Sequence, residues 1–134
     1  MTDSPNKVDF PNLKEGNKTL LSIYVPTTQD IDKKASKQEV NKRVKDTRDF
    51  LSRLFGGSSS VKVVGTYISQ DRGGKLVKER VMKVSAFANT DEYKKFDTKV
   101  RDFIQRKKKE WTQESIGFEF ESDANKGIPS LNFI

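Results

Sequence analysis

The sequence predicts an α+β fold in which the elements follow the order strand, helix, strand, strand, helix, strand. Short segments alternate apolar and polar residues, whereas two longer segments repeat apolar residues at three- and four-residue steps. Gly- or Pro-containing breaks separate several of them. The 134 residues fit one domain. We expect a flexible N-terminal arm over residues 1–18 and a single domain over residues 19–134.

The first strand and the first helix have clear boundaries in the sequence. Alternation predicts a strand over residues 19–26, which Pro26 ends. Ser36 and Glu39 have the spacing of a capping box, which predicts a helix start there. Gly56 and Gly57 predict its end. The apolar stripe of this helix comprises Val40, Val44, Thr47, Leu51 and Leu54.

The second half of the sequence predicts a hairpin, a second helix and a final strand. Residues 61–69 and 76–88 form the hairpin, and residues 70–74 are its turn. Thr90 is the predicted cap of the second helix. The last strand lies around Phe118 and Phe120, residues 123–129 form a loop, and residues 131–134 add a short fifth strand beside the fourth.

This order of elements is that of the ferredoxin-like split βαβ fold. Right-handed crossovers would place both helices on one face of a four-stranded antiparallel sheet and leave the other face open. The side chains expected on the open face are Tyr24, Lys83, Ser85 and Phe87. Because this fold serves many activities, it does not select one by itself.

Two residue types are missing, and their absence excludes several classes of site. The chain has no Cys, which excludes disulfides and thiolate chemistry, and no His, which removes the commonest general base and zinc ligand. We therefore expect no metal and no cofactor. No apolar segment is long enough to span a membrane, so a cytoplasmic protein is expected.

The charge of the chain predicts a polyanion as partner. The net charge is +7, and both helical segments are rich in Lys and Arg. We predict a non-catalytic protein whose basic helical face contacts DNA or RNA. The predicted phosphate contacts are Lys42, Arg43, Arg106, Lys107, Lys108 and Lys109. Basic residues near a helix C-terminus also complement the helix dipole and favour solubility, which needs no partner.

Two aromatic residues on the open face could add base stacking. The segment from Leu21 to Pro26 resembles the first-strand motif of RNA-recognition domains, in which an aromatic side chain stacks on a base. Tyr24 would be that residue, and Phe87 on the third strand its neighbour. The companion Gly-aromatic motif is missing from the third strand. Packing within the sheet is the alternative explanation for both side chains.

Two other functions remain open. One is a protein-interaction module, an inhibitor or regulator from a phage or plasmid, that binds a host protein through the open face or an edge strand. A homodimer through the open face belongs to the same class. An acidic protein is an alternative partner for the basic helical residues. The other is a metal-dependent nuclease. Separately, Glu119, Glu121 and Asp123 offer oxygen ligands for a hard cation such as magnesium. Outward glutamates that deter edge-to-edge pairing explain the same pattern.

Several short segments resemble those of a loosely defined set of small uncharacterised bacterial and mobile-element proteins. The matching segments are residues 23–27, 54–57, 65–69, 76–79 and 113–116. The resemblance implies a shared fold and a phage or plasmid setting. It implies no functional residues.

Overall fold

The structure, a computed structural model, contains two helices and five strands and confirms the α+β class. It describes residues 18–29, 33–70, 73–122 and 130–134; the predicted arm before Lys18 and the predicted loop 123–129 lie outside this part. The elements are β1 (Lys18–Pro26), α1 (Lys37–Phe55), β2 (Ser59–Ser69), β3 (Lys75–Asn89), α2 (Thr90–Glu110), β4 (Gly117–Ser122) and β5 (Ser130–Phe133).

The five strands form one antiparallel sheet in the order β2-β3-β1-β4-β5. The central strand β1 pairs with β3 on one side and with β4 on the other. The predicted short fifth strand is present beside β4, where Gly117 pairs with Phe133. The long strand β2 and the short strand β5 are therefore the two edges of the sheet.

Both helices begin with a side-chain cap. Ser36 Oγ accepts a hydrogen bond from the Glu39 amide at 3.0 Å, as the capping box predicts, and Gly56 ends α1 with a φ of 91°. The cap of α2 is Asn89 and not the predicted Thr90, because Asn89 Oδ1 accepts from the Asp91 amide at 2.9 Å. Thr90 instead pairs its hydroxyl with that of Thr19 at 3.0 Å.

The hydrophobic core lies between the two helices and one face of the sheet. Phe50 of α1 stacks on Phe103 of α2 with 4.0 Å between the ring centroids, so the helices lie side by side. The fully buried strand residues below them are Leu21, Ile23, Val25, Val84 and Phe118. Trp111, directly after α2, is also buried in this core. This burial is the main stabilising term, since each large apolar side chain contributes roughly 1.5–3 kcal/mol.

The hairpin of β2 and β3 extends beyond the rest of the sheet. Strand β1 pairs with β3 only from Val81 onward, so residues 75–80 pair with β2 alone. We call this two-stranded part, residues 64–69 and 75–80, the outer hairpin. Gly73 and Gly74 at its turn have φ of 69° and 77°, which a glycine adopts without strain. The outer hairpin leaves Val64, Ile68 and Leu76 exposed.

Candidate functional site

The sheet face opposite the helices carries a row of polar side chains across its three central strands. Residues paired directly across antiparallel strands point to the same face. Tyr24 is paired with Lys83, and Ser22 is paired with both Ser85 and Glu119. The register therefore brings side chains from β1, β3 and β4 together at the centre of the open face.

Three of these side chains form a connected cluster, the Tyr24–Lys83–Glu119 cluster. Tyr24 Oη donates a hydrogen bond to Glu119 Oε1 at 3.3 Å, and Lys83 Nζ lies 3.4 Å from the same oxygen. Lys83 Nζ also lies 5.7 Å from the centroid of the Tyr24 ring. Both charged side chains are partly buried, so their interaction is less screened than at a fully exposed surface.

A glycine fixes the position of the Tyr24 ring. A Cβ atom on Gly117 would lie 3.2 Å from Tyr24 Cδ2, which is closer than ordinary van der Waals contact. The ring therefore rests against the backbone of β4, and a larger residue at this position would displace it. Beside the cluster, the hydroxyls of Ser22 and Ser85 are 2.8 Å apart.

Apolar side chains surround the polar centre. Four large apolar side chains are exposed on the open face: Val61, Phe87, Leu131 and Phe133. Besides Glu119, the described carboxylates on this face are Glu79 and Glu121. A few placed polar groups among apolar ones are typical of sites for small organic ligands. The cluster offers one anion, one cation and one aromatic ring, which together suit a ligand that carries both charges.

Tyr24 and Phe87 both lie on the open face, but they are not neighbours. Tyr24 is opposite Lys83, whereas Phe87 is opposite Leu20, four residues further along β3. At about 3.3 Å per residue the two rings lie on rungs roughly 13 Å apart. Tyr24 and Phe87 therefore lie on the expected face, but they are too far apart to be the adjacent stacking residues that we expected.

Arg43 does not lie on the surface, where a phosphate contact would have to be. Its side chain is 3% exposed. Nε donates to Glu39 Oε2 at 2.9 Å, and Nη1 donates to the carbonyls of Pro26 at 2.9 Å and Thr28 at 2.8 Å. The guanidinium also lies 5.5 Å from the Trp111 ring. The predicted surface position of Arg43 is corrected: it fixes the end of β1 to α1.

Lys107 is also engaged inside the helical layer. Its side chain is 13% exposed, and Nζ lies 2.9 Å from Glu110 Oε2 and 3.5 Å from Asp46 Oδ2. The hydrogen bond from Lys107 lowers the pKa of Glu110 below its ordinary value. Lys107 therefore joins the end of α2 to α1 through Asp46, and it also pairs with Glu110 within α2.

The other predicted phosphate contacts stay near the surface. Lys42, Arg106 and Lys109 are exposed, and Lys108 is half-buried. Acids accompany several other helical cations, since Lys45 pairs with Asp49 at 2.7 Å and Arg101 with Asp97 at 2.9 Å. The helical face is therefore mixed in charge. Whether its remaining cations bind a polyanion stays a prediction.

Replacement of Lys107 by Gln is expected to lower the free energy of unfolding by about 1 kcal/mol at pH 7. This value is small because Glu110 is half-exposed and solvent screens its interaction with Lys107. The lowered pKa of Glu110 means that its contribution is present above the unfolded pKa, near 4.5, and is lost as the pH falls through the folded value. Urea unfolding at pH 7 and pH 3.5 measures this difference. Lys109→Gln, at an exposed position, is the control, and equal effects of both variants would contradict the assignment.

The described residues contain no group of three or more acidic residues placed to hold a metal ion. Glu119 and Glu121 are described, but Asp123, the third predicted ligand, lies outside the described residues. Among the described residues, neither helix has the length and apolar character needed to cross a membrane.

Two solved structures have a fold similar to that of this chain. No family model matches the chain, and no curated protein matches it. A solved structure of a phage SAM lyase in complex with S-methyl-5'-thioadenosine matches 94% of this chain and 95% of its own, with a TM-score of 0.64 and 22% identity. The apo state of a phage SAM lyase matches with a TM-score of 0.59 and the same identity. This likeness shows a shared fold, and the phage source agrees with the mobile-element setting expected from the sequence.

Proposed function

We propose that this protein is a lyase that cleaves S-adenosylmethionine and releases S-methyl-5'-thioadenosine. The observation that carries the proposal is the fold shared with the phage SAM lyase over nearly the full length of both chains. This proposal replaces the non-catalytic protein expected from the sequence. It is also consistent with the absence of His and Cys, because the reaction needs neither residue type.

The chemistry of this cleavage places few demands on the protein. The bond between the sulfonium sulfur and the amino-acid chain breaks, both electrons go to sulfur, and the sulfonium becomes a neutral thioether. As the sulfur leaves, the carbon either bonds to the substrate's own carboxylate oxygen or forms a double bond while a basic group takes a proton from the neighbouring carbon. Neither route consumes water or an oxidant. The protein must therefore bind, orient and partly desolvate the substrate.

The Tyr24–Lys83–Glu119 cluster has the charges to do this. Glu119 would accept hydrogen bonds from the substrate ammonium group, and Lys83 would donate to its carboxylate. The Tyr24 ring offers a face for the sulfonium, since cations within about 6 Å of an aromatic centroid are attracted to it. When the substrate binds, the ion pair between Lys83 and Glu119 would be replaced by one ion pair between each side chain and the zwitterionic substrate. Neither partly buried charge would then lack a partner.

The test is incubation of the purified protein with S-adenosylmethionine, followed by chromatography with mass detection of S-methyl-5'-thioadenosine. We expect release of this thioether with turnover. S-adenosylhomocysteine is the control and should stay intact, because its uncharged sulfur would have to leave as a thiolate. Alkali then identifies the second product, since a lactone opens to a hydroxy acid and an alkene does not. A folded protein that releases no thioether would contradict the proposal.

We also propose that the fold is of the ferredoxin-like split βαβ type. The order β2-β3-β1-β4, with every neighbouring pair antiparallel, supports this assignment, as does the packing of both helices on one sheet face. A cytoplasmic location would follow from a soluble substrate of this kind.

Nucleic-acid binding is the second candidate function. The net charge of +7 and the exposed Lys42, Arg106 and Lys109 favour it. If several phosphates are contacted, affinity for a DNA or RNA oligomer falls roughly ten-fold or more between about 50 and 200 mM salt. Fluorescence anisotropy against salt measures this, and flat salt dependence would exclude the candidate. An acidic protein could occupy the same cations, and capture that survives nuclease treatment would identify it.

A further inference from the structure

The backbone pairing between β1 and β4 ends just before the Tyr24 ring. The last paired residues are Ile23 and Phe118. Tyr24, the next residue of β1, is paired with Lys83 of β3, and Gly117, the next residue of β4, is paired with β5. The sheet therefore holds Tyr24 from one side and Gly117 from the other, but the ladder between β1 and β4 does not extend to the place where the two residues touch.

The side chain of Gln113 connects the two segments beyond this point. Its Nε2 donates a hydrogen bond to the Thr28 carbonyl at 2.9 Å, and its Oε1 lies 3.5 Å from Thr28 Oγ1. Nε2 also donates to the Trp111 carbonyl at 2.9 Å. Thr28 follows Tyr24 by four residues, and Gln113 precedes Gly117 by four residues. The contact between Gln113 and Thr28 therefore joins the segment that leaves β1 to the segment that enters β4.

The Thr28 carbonyl accepts a second hydrogen bond, from Arg43 Nη1 at 2.8 Å. Both bonds can form because a carbonyl oxygen has two lone pairs. Arg43 holds Thr28 to α1, whereas Gln113 holds it to the turn that precedes β4. Loss of the Gln113 side chain would therefore release the turn before β4 while Thr28 stays bound to α1.

The turn that carries Gln113 is strained. Thr112 has a φ of 54°, in the left-handed region, where a β-branched residue is rarely found. Such a residue persists only where the surrounding contacts fix it. Gln113 supplies contacts of this kind, since its amide donates to the Lys108 carbonyl at 3.0 Å and its side chain donates to Thr28 and Trp111. Without these side-chain bonds the turn can relax, and the start of β4 moves with it.

We propose that Gln113 is a positioning residue for the candidate site. Its contact with Thr28 sets the distance between β1 and β4 beyond their last paired residues, and this distance determines how the Tyr24 ring rests on Gly117. The fit there is tight, because a Cβ atom on Gly117 would lie 3.2 Å from Tyr24 Cδ2. The kinetic consequence rests on the proposed lyase function, whereas the position of the ring does not.

The first experiment measures kcat and KM for release of S-methyl-5'-thioadenosine by Gln113→Met, which keeps the length of the side chain and removes its donors. A displaced Tyr24 ring binds the sulfonium less well, so we expect KM to rise roughly threefold to tenfold. We expect kcat to change by less than about twofold, because the lost contact is one of substrate binding. Glu114→Gln, at the exposed neighbouring position, is the matched control and leaves KM unchanged.

A double-mutant cycle separates positioning of Tyr24 from general damage. In a Tyr24→Leu background, Gln113→Met is expected to have no further effect on KM, because both replacements remove the same interaction. General damage to the fold would raise KM equally in both backgrounds. Additive effects, or an unchanged KM in Gln113→Met itself, overturn the proposal.

The second experiment follows the ring directly and needs no activity. Fluorotyrosine is incorporated at the three Tyr positions, and Tyr24→Phe identifies the fluorine resonance of Tyr24 by its loss. Gln113→Met is expected to shift this resonance, whereas Glu114→Gln leaves it in place. A shift in a protein that releases no thioether would contradict the lyase function and support the positioning role. An unshifted resonance in an active protein overturns the positioning role alone.

Circular dichroism checks that each variant is folded. Gln113→Glu, which keeps the shape of the side chain and also lacks the donors, is the second variant, and we expect it to raise KM and shift the resonance as well. Failure of both variants to fold would show that Gln113 has a structural role only, which also overturns the proposal.

Discussion

Replacement of Arg43 by Met is expected to lower the free energy of unfolding by about 2–4 kcal/mol, because two carbonyl groups lose a charged hydrogen-bond donor in a buried position. These are the carbonyls of Pro26 and Thr28, each within 2.9 Å of Nη1. Met retains much of the side-chain volume and its contact with Trp111, so the effect isolates the hydrogen bonds from the packing. Urea unfolding at neutral pH measures it.

Two further variants make this result specific. Arg48→Met removes an exposed cation from the same helix and should change stability by less than about 0.5 kcal/mol. Arg43→Lys keeps the charge but loses the planar fork, so most of the destabilisation should remain. Equal stability of Arg43→Met and Arg48→Met would contradict the role assigned to Arg43. Because Arg43 is buried, neither of its replacements should change the affinity of the protein for nucleic acid.

Replacement of Glu119 by Gln is expected to lower kcat/KM for release of S-methyl-5'-thioadenosine by roughly 10- to 100-fold. A hydrogen bond to a charged group contributes roughly 1.5–3 kcal/mol, and Gln keeps the shape of the side chain without its charge. Removal of the carboxylate also leaves Lys83 without its partner at 3.4 Å. We expect most of the loss in KM, because Glu119 is proposed to bind the substrate ammonium group. This prediction depends on the proposed lyase function.

Control variants distinguish an error in the assigned site from an error in the proposed lyase function. Glu114→Gln, at an exposed position before β4, should leave the rate unchanged. Full activity in Glu119→Gln would contradict this site while the lyase function stood. The same assay on Glu79→Gln and Glu121→Gln would then test the other described carboxylates of the open face. An inactive wild type would remove the function itself.

The type and order of the elements could be predicted because each depends on local pattern. The alternation of Ile116, Phe118 and Phe120 with polar residues defines β4, and Ser36 with Glu39 defines the start of α1. The cap of α2 was misplaced by one residue because Asn89 and Thr90 are both good capping residues. The exposure of the outer hairpin was not predicted, since β-branched residues favour strands whether or not the strand is covered.

The sequence predicts the sheet face on which each residue of the candidate site lies, but not which of these residues contact each other. Alternation places Tyr24, Lys83 and Glu119 on the open face, but their contact depends on pairing between strands far apart in sequence. Arg43, by contrast, carried a local signal. It lies four residues before Thr47 and eight before Leu51, both buried on the apolar side of α1. A cation within the apolar stripe of a helix indicates that it has a buried partner. The high net charge of the chain instead favoured a surface position for Arg43.

The single Trp of the chain, Trp111, is buried in the helical layer beside Arg43 and Lys107. Its fluorescence is therefore an intrinsic probe of the helical side of the sheet. Because Arg43 and Lys107 lie near its ring, replacement of either residue should change the emission. A molecule that binds to the opposite side would leave the emission almost unchanged. Optical titrations at that surface consequently need a reporter introduced there, for example Phe87→Trp.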